Sequence, residues 1–74
     1  MRSVLDVLLE INSEVDFESE EDLVGRGILN SLDILSIVTV LEDEFDIEIP
    51  PTEINIDNFR SLNAIEELVK RISD

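Results

Sequence analysis

Apolar residues along the chain fall into three helical stripes separated by two irregular stretches. In residues 2–11, Val4, Leu5, Leu8, Leu9 and Ile11 recur at helical spacing while Asp6 and Glu10 share the opposite side. Ser3 stands where it can cap the start. Residues 12–30 hold no clean period, and a connection of that length is uncommon in a small domain. Val15, Phe17, Leu23, Val24, Ile28 and Leu29 nevertheless supply apolar anchors, and Gly25 and Gly27 mark bends near its end. A short helical turn is expected around residues 20–24. The clearest helix is 32–45, uninterrupted by glycine or proline and capped by Asn30 or Ser31. Because successive side chains rotate by about 100°, Ile34, Ile37, Val38, Leu41 and Phe45 form one core-facing stripe.

Residues 46–51 end that helix, since Pro50 and Pro51 lack amide donors and restrict the residues before them. The alternation Phe45, Ile47, Ile49 would suit a strand, but no second strand is written elsewhere to pair its amides. An extended segment pinned by its isoleucines is the better expectation. Residues 52–58 are expected to hold one short helical turn anchored by Ile54 and Ile56. Ser61 then caps a last helix over 62–72, with Ile65, Leu68, Val69 and Ile72 inward. Its early acids, Glu66 and Glu67, and late bases, Lys70 and Arg71, match the helix dipole. The expected architecture is all-α: a four-helix bundle with three longer helices, one short helix and a long first loop, in a single domain over residues 1–74.

Composition narrows what such a bundle can do. An apolar fraction of 43% supplies a core and argues against disorder. A domain of 74 residues is nonetheless small, burying roughly 60% of its unfolded surface. There is no cysteine and no histidine, which removes disulfides, thiolate metal sites and the commonest general base. The serines therefore lack an imidazole activator, and a chain this short leaves little volume for a substrate cleft. The expected protein is not an enzyme.

Nineteen acids face five bases, Arg2, Arg26, Arg60, Lys70 and Arg71, for a formal charge of −14. That surface disfavours nucleic acid and anionic membrane and attracts partners with basic patches. The apolar runs are too short to span a bilayer, so no membrane insertion is expected. Met1 and Arg2 lead straight into an amphipathic pattern without an apolar signal segment, so a cytoplasmic location is expected; the chain is also expected to be a monomer. The acidic run from Glu42 to Glu48 lacks the glycine and alternating oxygen ligands of a calcium loop, because Phe45 and Ile47 interrupt it. No metal site is expected there, only loose divalent association.

One segment carries more information: Gly27-Ile28-Leu29-Asn30-Ser31-Leu32-Asp33. A serine at the start of a helix presents its hydroxyl beside the positive end of the dipole, where an attached phosphodiester is favoured. The plainer reading is that Ser31 only caps the helix. With the helix beyond it, ending Leu41-Glu42-Asp43-Glu44-Phe45, and with Asp46-Ile47-Glu48-Ile49-Pro50 and Asn58-Phe59-Arg60-Ser61-Leu62-Asn63-Ala64-Ile65, the motif resembles the acyl carrier protein family over nearly the whole chain.

The resemblance implies the acyl-carrier type of bundle and a 4′-phosphopantetheine arm, derived from coenzyme A, on Ser31. The missing cysteine agrees with it, since a carrier of activated groups needs a thiol and the arm would bring one. Implied partners are a phosphopantetheinyl transferase, an acyl- or aminoacyl-loading ligase or transferase, and downstream enzymes with basic docking patches. Leu32, Asp33, Glu42 and Asp43 match family positions that meet partners, and Ile54 lies in the short helix that lines the acyl chain or touches partners. The helical wheel independently places Leu32, Leu35, Thr39, Glu42, Asp43 and Asp46 within about 120° of Ser31. Acids there suit charge steering, and leucines suit contact.

Departures from the family pattern bear on modification and cargo, those at Ser36, Thr39 and residues 46–50 pointing to a specialised carrier. Asn30 replaces the usual aspartate before the serine, which keeps a cap but predicts slower modification by the standard transferase. Ser36 and Thr39 stand where fatty-acid carriers commonly have an acidic and a larger apolar residue, and residues 46–50 are rich in isoleucine. The cargo stays open among fatty-acid, polyketide, aminoacyl, D-alanyl and peptidyl groups. The rival from another class is an acidic interaction module that never carries a cofactor.

Overall fold

A computed structural model describes residues 3–73. Among them the chain forms α1 (Val4–Ile11), α2 (Ser31–Phe45), α3 (Ile56–Phe59) and α4 (Leu62–Ser73), with a 3-10 turn at Pro51–Glu53. No strand occurs among the described residues, and residues 47–50 form an irregular connection in which the Ile47 and Ile49 N–H groups donate to Glu42 rather than to a partner strand. Residue 2 of the expected first helix lies outside the described residues. No helix there is long and apolar enough to cross a membrane.

Each α-helix begins with a side-chain cap. Ser3 Oγ accepts from the Asp6 N–H at 3.2 Å, and the Asp6 carboxylate accepts in return from the Ser3 N–H at 3.0 Å. Asn55 caps α3 through the Asn58 N–H at 3.0 Å, and Ser61 caps α4 through the Ala64 N–H at 3.1 Å. Such caps satisfy donors that the first helical turn leaves open, each contributing about 1 kcal/mol.

α1 packs on α2 and α4, and α3 packs on α4. Val4, Val7 and Leu8 from α1, Ile37, Val38 and Leu41 from α2, and Ile65, Leu68 and Val69 from α4 are buried in one core. Ile34, Phe45 and Ile72, expected to face inward, pack half-buried at its edge. The long first loop is anchored as its apolar residues predict, with Phe17, Leu23 and Leu29 buried. Leu23 is its fixed point. The Leu23 N–H donates to the Arg60 carbonyl at 2.7 Å, and the Leu23 carbonyl accepts from Ile28 and Leu29 at 2.9 and 3.0 Å. Gly27, at φ 76°, takes the left-handed conformation that glycine adopts without a Cβ penalty.

Two local expectations are corrected. The turn expected at 20–24 forms instead at 23–27 and is not helical, because the paired bonds to the Leu23 carbonyl close the chain there. The single turn expected over 52–58 is split. Pro51 starts the 3-10 turn with its ring-fixed φ, and Asn55 re-caps the chain to start α3. Ile56 consequently faces outward at 62% exposure, and Phe59, fully buried, is the residue that anchors α3.

Candidate functional site: an exposed serine at the head of α2

Ser31 is the first residue of α2, and Asn30 is its N-cap. Asn30 Oδ1 accepts from the Asp33 N–H at 2.9 Å, while Asp33 Oδ2 accepts from the Asn30 N–H at 3.1 Å. This reciprocal box resolves the ambiguity between Asn30 and Ser31. With the cap supplied by its neighbour, the Ser31 hydroxyl is exposed and has no hydrogen-bond partner among the described residues. It stands at the positive end of a 15-residue helix.

Beside that hydroxyl runs an open, mainly apolar groove of about 280 Å³, lined by Ser31, Ile34, Leu35, Ile54, Asn55 and Ile56. α2 forms one wall, and the segment from the 3-10 turn into α3 forms the other. Leu32, at 74% exposure, and Leu35, at 53%, carry the apolar surface past the groove's edge. Sequence reasoning placed Ser31, Leu35 and Ile54 here, assigned Ile34 to the core alone, and missed Asn55 and Ile56. The only available signal for Ile56 was an isoleucine following a capping asparagine.

The other residues expected at a partner face have separate fates. Asp33 is half-buried, its carboxylate held by the capping box. Thr39 is exposed, but its hydroxyl turns back to donate to the Leu35 carbonyl at 3.0 Å. Asp43 is exposed, whereas Glu42 is half-buried and accepts from the Ile49 N–H at 2.9 Å. Between Ser31 and Leu41, Asp33 is the one charged residue on α2. The acidic stretch beginning at Glu42 lies about 16 Å along the helix axis from Ser31, at 1.5 Å per residue. The head of α2 thus carries a single acid, Asp33, among apolar residues, while its tail is densely acidic.

Ser31 thus presents an exposed hydroxyl, unpartnered among the described residues, at the start of α2. The family described as the phosphopantetheine attachment site matches residues 2–69, and the chain belongs to it. Its relatives include D-alanyl carrier proteins: that of Lactobacillus delbrueckii subsp. bulgaricus is 31% identical over 75 residues, covering 99% of this chain and 92% of that protein. The D-alanyl carrier protein of Streptococcus sanguinis is 31% identical over 70 residues, covering 93% of this chain and 89% of that protein. That of Lactococcus lactis subsp. cremoris is 29% identical over 73 residues, covering 96% and 92%. No solved structure matches the chain.

The protein is therefore a carrier that holds its cargo on covalently bound 4′-phosphopantetheine, is not itself a catalyst, and works through partner ligases and transferases. The cofactor-free interaction module is set aside by this membership. The residues at the head of α2 fit the group: a free hydroxyl to esterify, a helix N-terminus to favour the phosphodiester, and an apolar groove alongside.

Proposed function

We propose that Ser31 carries the arm and that this single carrier domain, spanning residues 1–74, presents an aminoacyl group, D-alanine in the first instance, as a thioester to its partners. The observation carrying the first part is that Asn30 takes the cap and leaves the Ser31 hydroxyl free. The second part is supported by relatives named D-alanyl carrier proteins that match nearly end to end. Those relatives give no support to a role in fatty acid biosynthesis or lipid metabolism. The arm supplies the thiol that the chain lacks, and the protein supplies tethering, which raises the local concentration of cargo at each enzyme.

Partners would then be a phosphopantetheinyl transferase, an adenylating ligase that loads the amino acid, and an enzyme that consumes it, all in the cytoplasm and meeting a monomer. Leu32, Leu35 and Ile54 offer apolar contact beside the arm, and Asp43, farther along, steers basic surfaces.

The test is intact mass after incubation with coenzyme A and a broad-specificity phosphopantetheinyl transferase, followed by a D-alanine-activating ligase and ATP. One phosphopantetheine should add, then one D-alanyl group. Ser31→Ala should take neither and melt within about 2 °C of the parent, because its hydroxyl caps nothing. Arm attachment persisting in Ser31→Ala would overturn the site, and a holo protein that refuses D-alanine but accepts another amino or acyl group would overturn the cargo.

A further inference from the structure

We infer that Glu42 is a positioning residue: acting as a hydrogen-bond acceptor for Ile49, it sets the groove wall opposite Ser31. This rests on the reading of Ser31 as the attachment point, and it gives Glu42 a different part from that of its neighbour Asp43. An acid on a solvated helix face would be interchangeable with the acids beside it. Glu42 is not, because it is half-buried and its Oε2 accepts from the Ile49 N–H at 2.9 Å, while Asp43 is exposed.

The backbone of Glu42 does related work. Its carbonyl accepts from the N–H of Asp46, which caps α2, and from the Ile47 N–H at 3.2 Å. One residue therefore closes the helix and ties down the chain that leaves it. The Ile49 side chain is buried, so its amide has little access to water as a substitute acceptor.

The chain beyond Ile49 has little slack. Pro50 and Pro51 have ring-fixed φ, and the 3-10 turn is closed by the Glu53 N–H on the Pro50 carbonyl at 2.9 Å and the Ile54 N–H on the Pro51 carbonyl at 3.1 Å. Ile54, Asn55 and Ile56, the groove wall, come next. Beyond them a second anchor holds the segment. Asn58 Nδ2 donates to the Glu53 carbonyl at 2.7 Å and to Glu53 Oε2 at 2.9 Å, and Arg71 donates to Asn58 Oδ1 at 3.1 Å and pairs with Glu53 at 3.5 Å. The wall is strung between Ile49, held by Glu42, and Asn58, held by Glu53 and Arg71, and Glu42 fixes its approach from α2.

Four variants separate bracing from charge: Glu42→Gln keeps an acceptor without charge, Glu42→Ala removes both, Glu42→Asp keeps charge but shortens the reach, and Asp43→Asn removes a neighbouring charge alone. The readouts are amide hydrogen exchange at Ile49, methyl chemical shifts of Ile54 and Ile56, and kcat/KM for arm transfer from coenzyme A at low and high salt. In Glu42→Ala and Glu42→Asp, Ile49 exchange should accelerate about tenfold, the value of one lost hydrogen bond, and both methyls should shift. Arm transfer should slow in these two by an amount that salt does not change. Glu42→Gln should stay within about threefold of the parent in all readouts, since an amide oxygen still accepts, though more weakly than a carboxylate. Asp43→Asn should leave exchange and shifts alone.

If Glu42→Gln, Glu42→Ala and Asp43→Asn slow transfer alike and only at low salt, Glu42 is a docking charge and the inference is overturned. Should Glu42→Ala not fold, Glu42→Asp decides, and behaviour like the parent overturns it. If the parent itself takes no arm, the reading of Ser31 fails, and unchanged Ile54 and Ile56 shifts in Glu42→Ala would separately overturn the brace.

Discussion

Replacing Asn30 by alanine tests whether the capping box exists to keep Ser31 available. The geometry gives the substitution two effects. Asn30 Oδ1 satisfies the Asp33 N–H at 2.9 Å, and removing it leaves that first-turn donor to water. The return bond from the Asn30 N–H to Asp33 Oδ2 involves only the backbone of residue 30 and survives the change. The cost should then be about 1 kcal/mol, within the 0.5–2 kcal/mol of N-cap replacements, which lowers the melting temperature of a domain this size by about 4–8 °C.

The second effect concerns Ser31. With no side-chain oxygen at position 30, the nearest capping residue is Ser31 itself. Recapping would move the helix start by one residue and turn its hydroxyl toward the N–H of Ile34, which now bonds to the Asn30 carbonyl at 3.0 Å. Every molecule so recapped presents a hydroxyl already engaged, and arm attachment should slow in proportion. Thermal melts by circular dichroism, with transferase kinetics at a temperature where all variants are folded, measure the two effects separately. Asn30→Asp is the control: it keeps the cap and adds charge beside Ser31, so stability should hold while a basic transferase acts faster at low ionic strength. Should Asn30→Ala melt with the parent, the box is ornamental. If it loses stability but is modified at the parent rate, the cap does not protect the hydroxyl.

Two further outcomes are expected. Asp46 ends α2 at φ 53° and ψ 50°, a left-handed conformation that penalises a Cβ, so Asp46→Gly should raise stability by up to about 1 kcal/mol, and a lower urea midpoint would contradict this. At a formal charge of −14, added sodium chloride should raise the melting temperature, and magnesium should do so at lower concentration by loose association with clustered carboxylates; a melting temperature that falls with salt would refute the repulsion argument.

Legibility in the sequence tracks the range of the interactions involved. α2 was readable because its determinants are local: no glycine or proline from Ser31 to Phe45, one apolar stripe, and a polar cap one residue upstream. The first loop was readable in outline for a different reason. Its apolar residues lack period but still must be buried, and Phe17, Leu23 and Leu29 are. The region from Pro51 to Phe59 was not readable in detail, because a 3-10 turn and a one-turn helix are too short for a period to declare itself. Whether Ile54, Ile56 or Phe59 fills the core depends on where Asn55 restarts the helix, which is a matter of a single cap.

The site divides along the same line. Ser31 was legible as a motif, yet the reason its hydroxyl is free is a bond between Asn30 and Asp33 that composition does not announce. Glu42 is the harder case. On a wheel it is one acid among several on an outward face, and charge alone would class it with Asp43. Its partner is a backbone amide seven residues on, past the end of its own helix, and no periodicity points there. The acids of this carrier therefore divide by what their oxygens touch. Asp33 and Glu42 are committed to backbone amides of the chain, one shaping the helix that bears Ser31 and the other the approach to the opposite groove wall. Surface contact beside Ser31 is left to Leu32, Leu35 and Ile56, all exposed. A partner reading this face meets exposed apolar side chains with Asp33 and Asp57 close by, while the dense acidic stretch lies some 16 Å along α2, so complementarity of shape at the head of α2 should discriminate among cognate enzymes more than charge does.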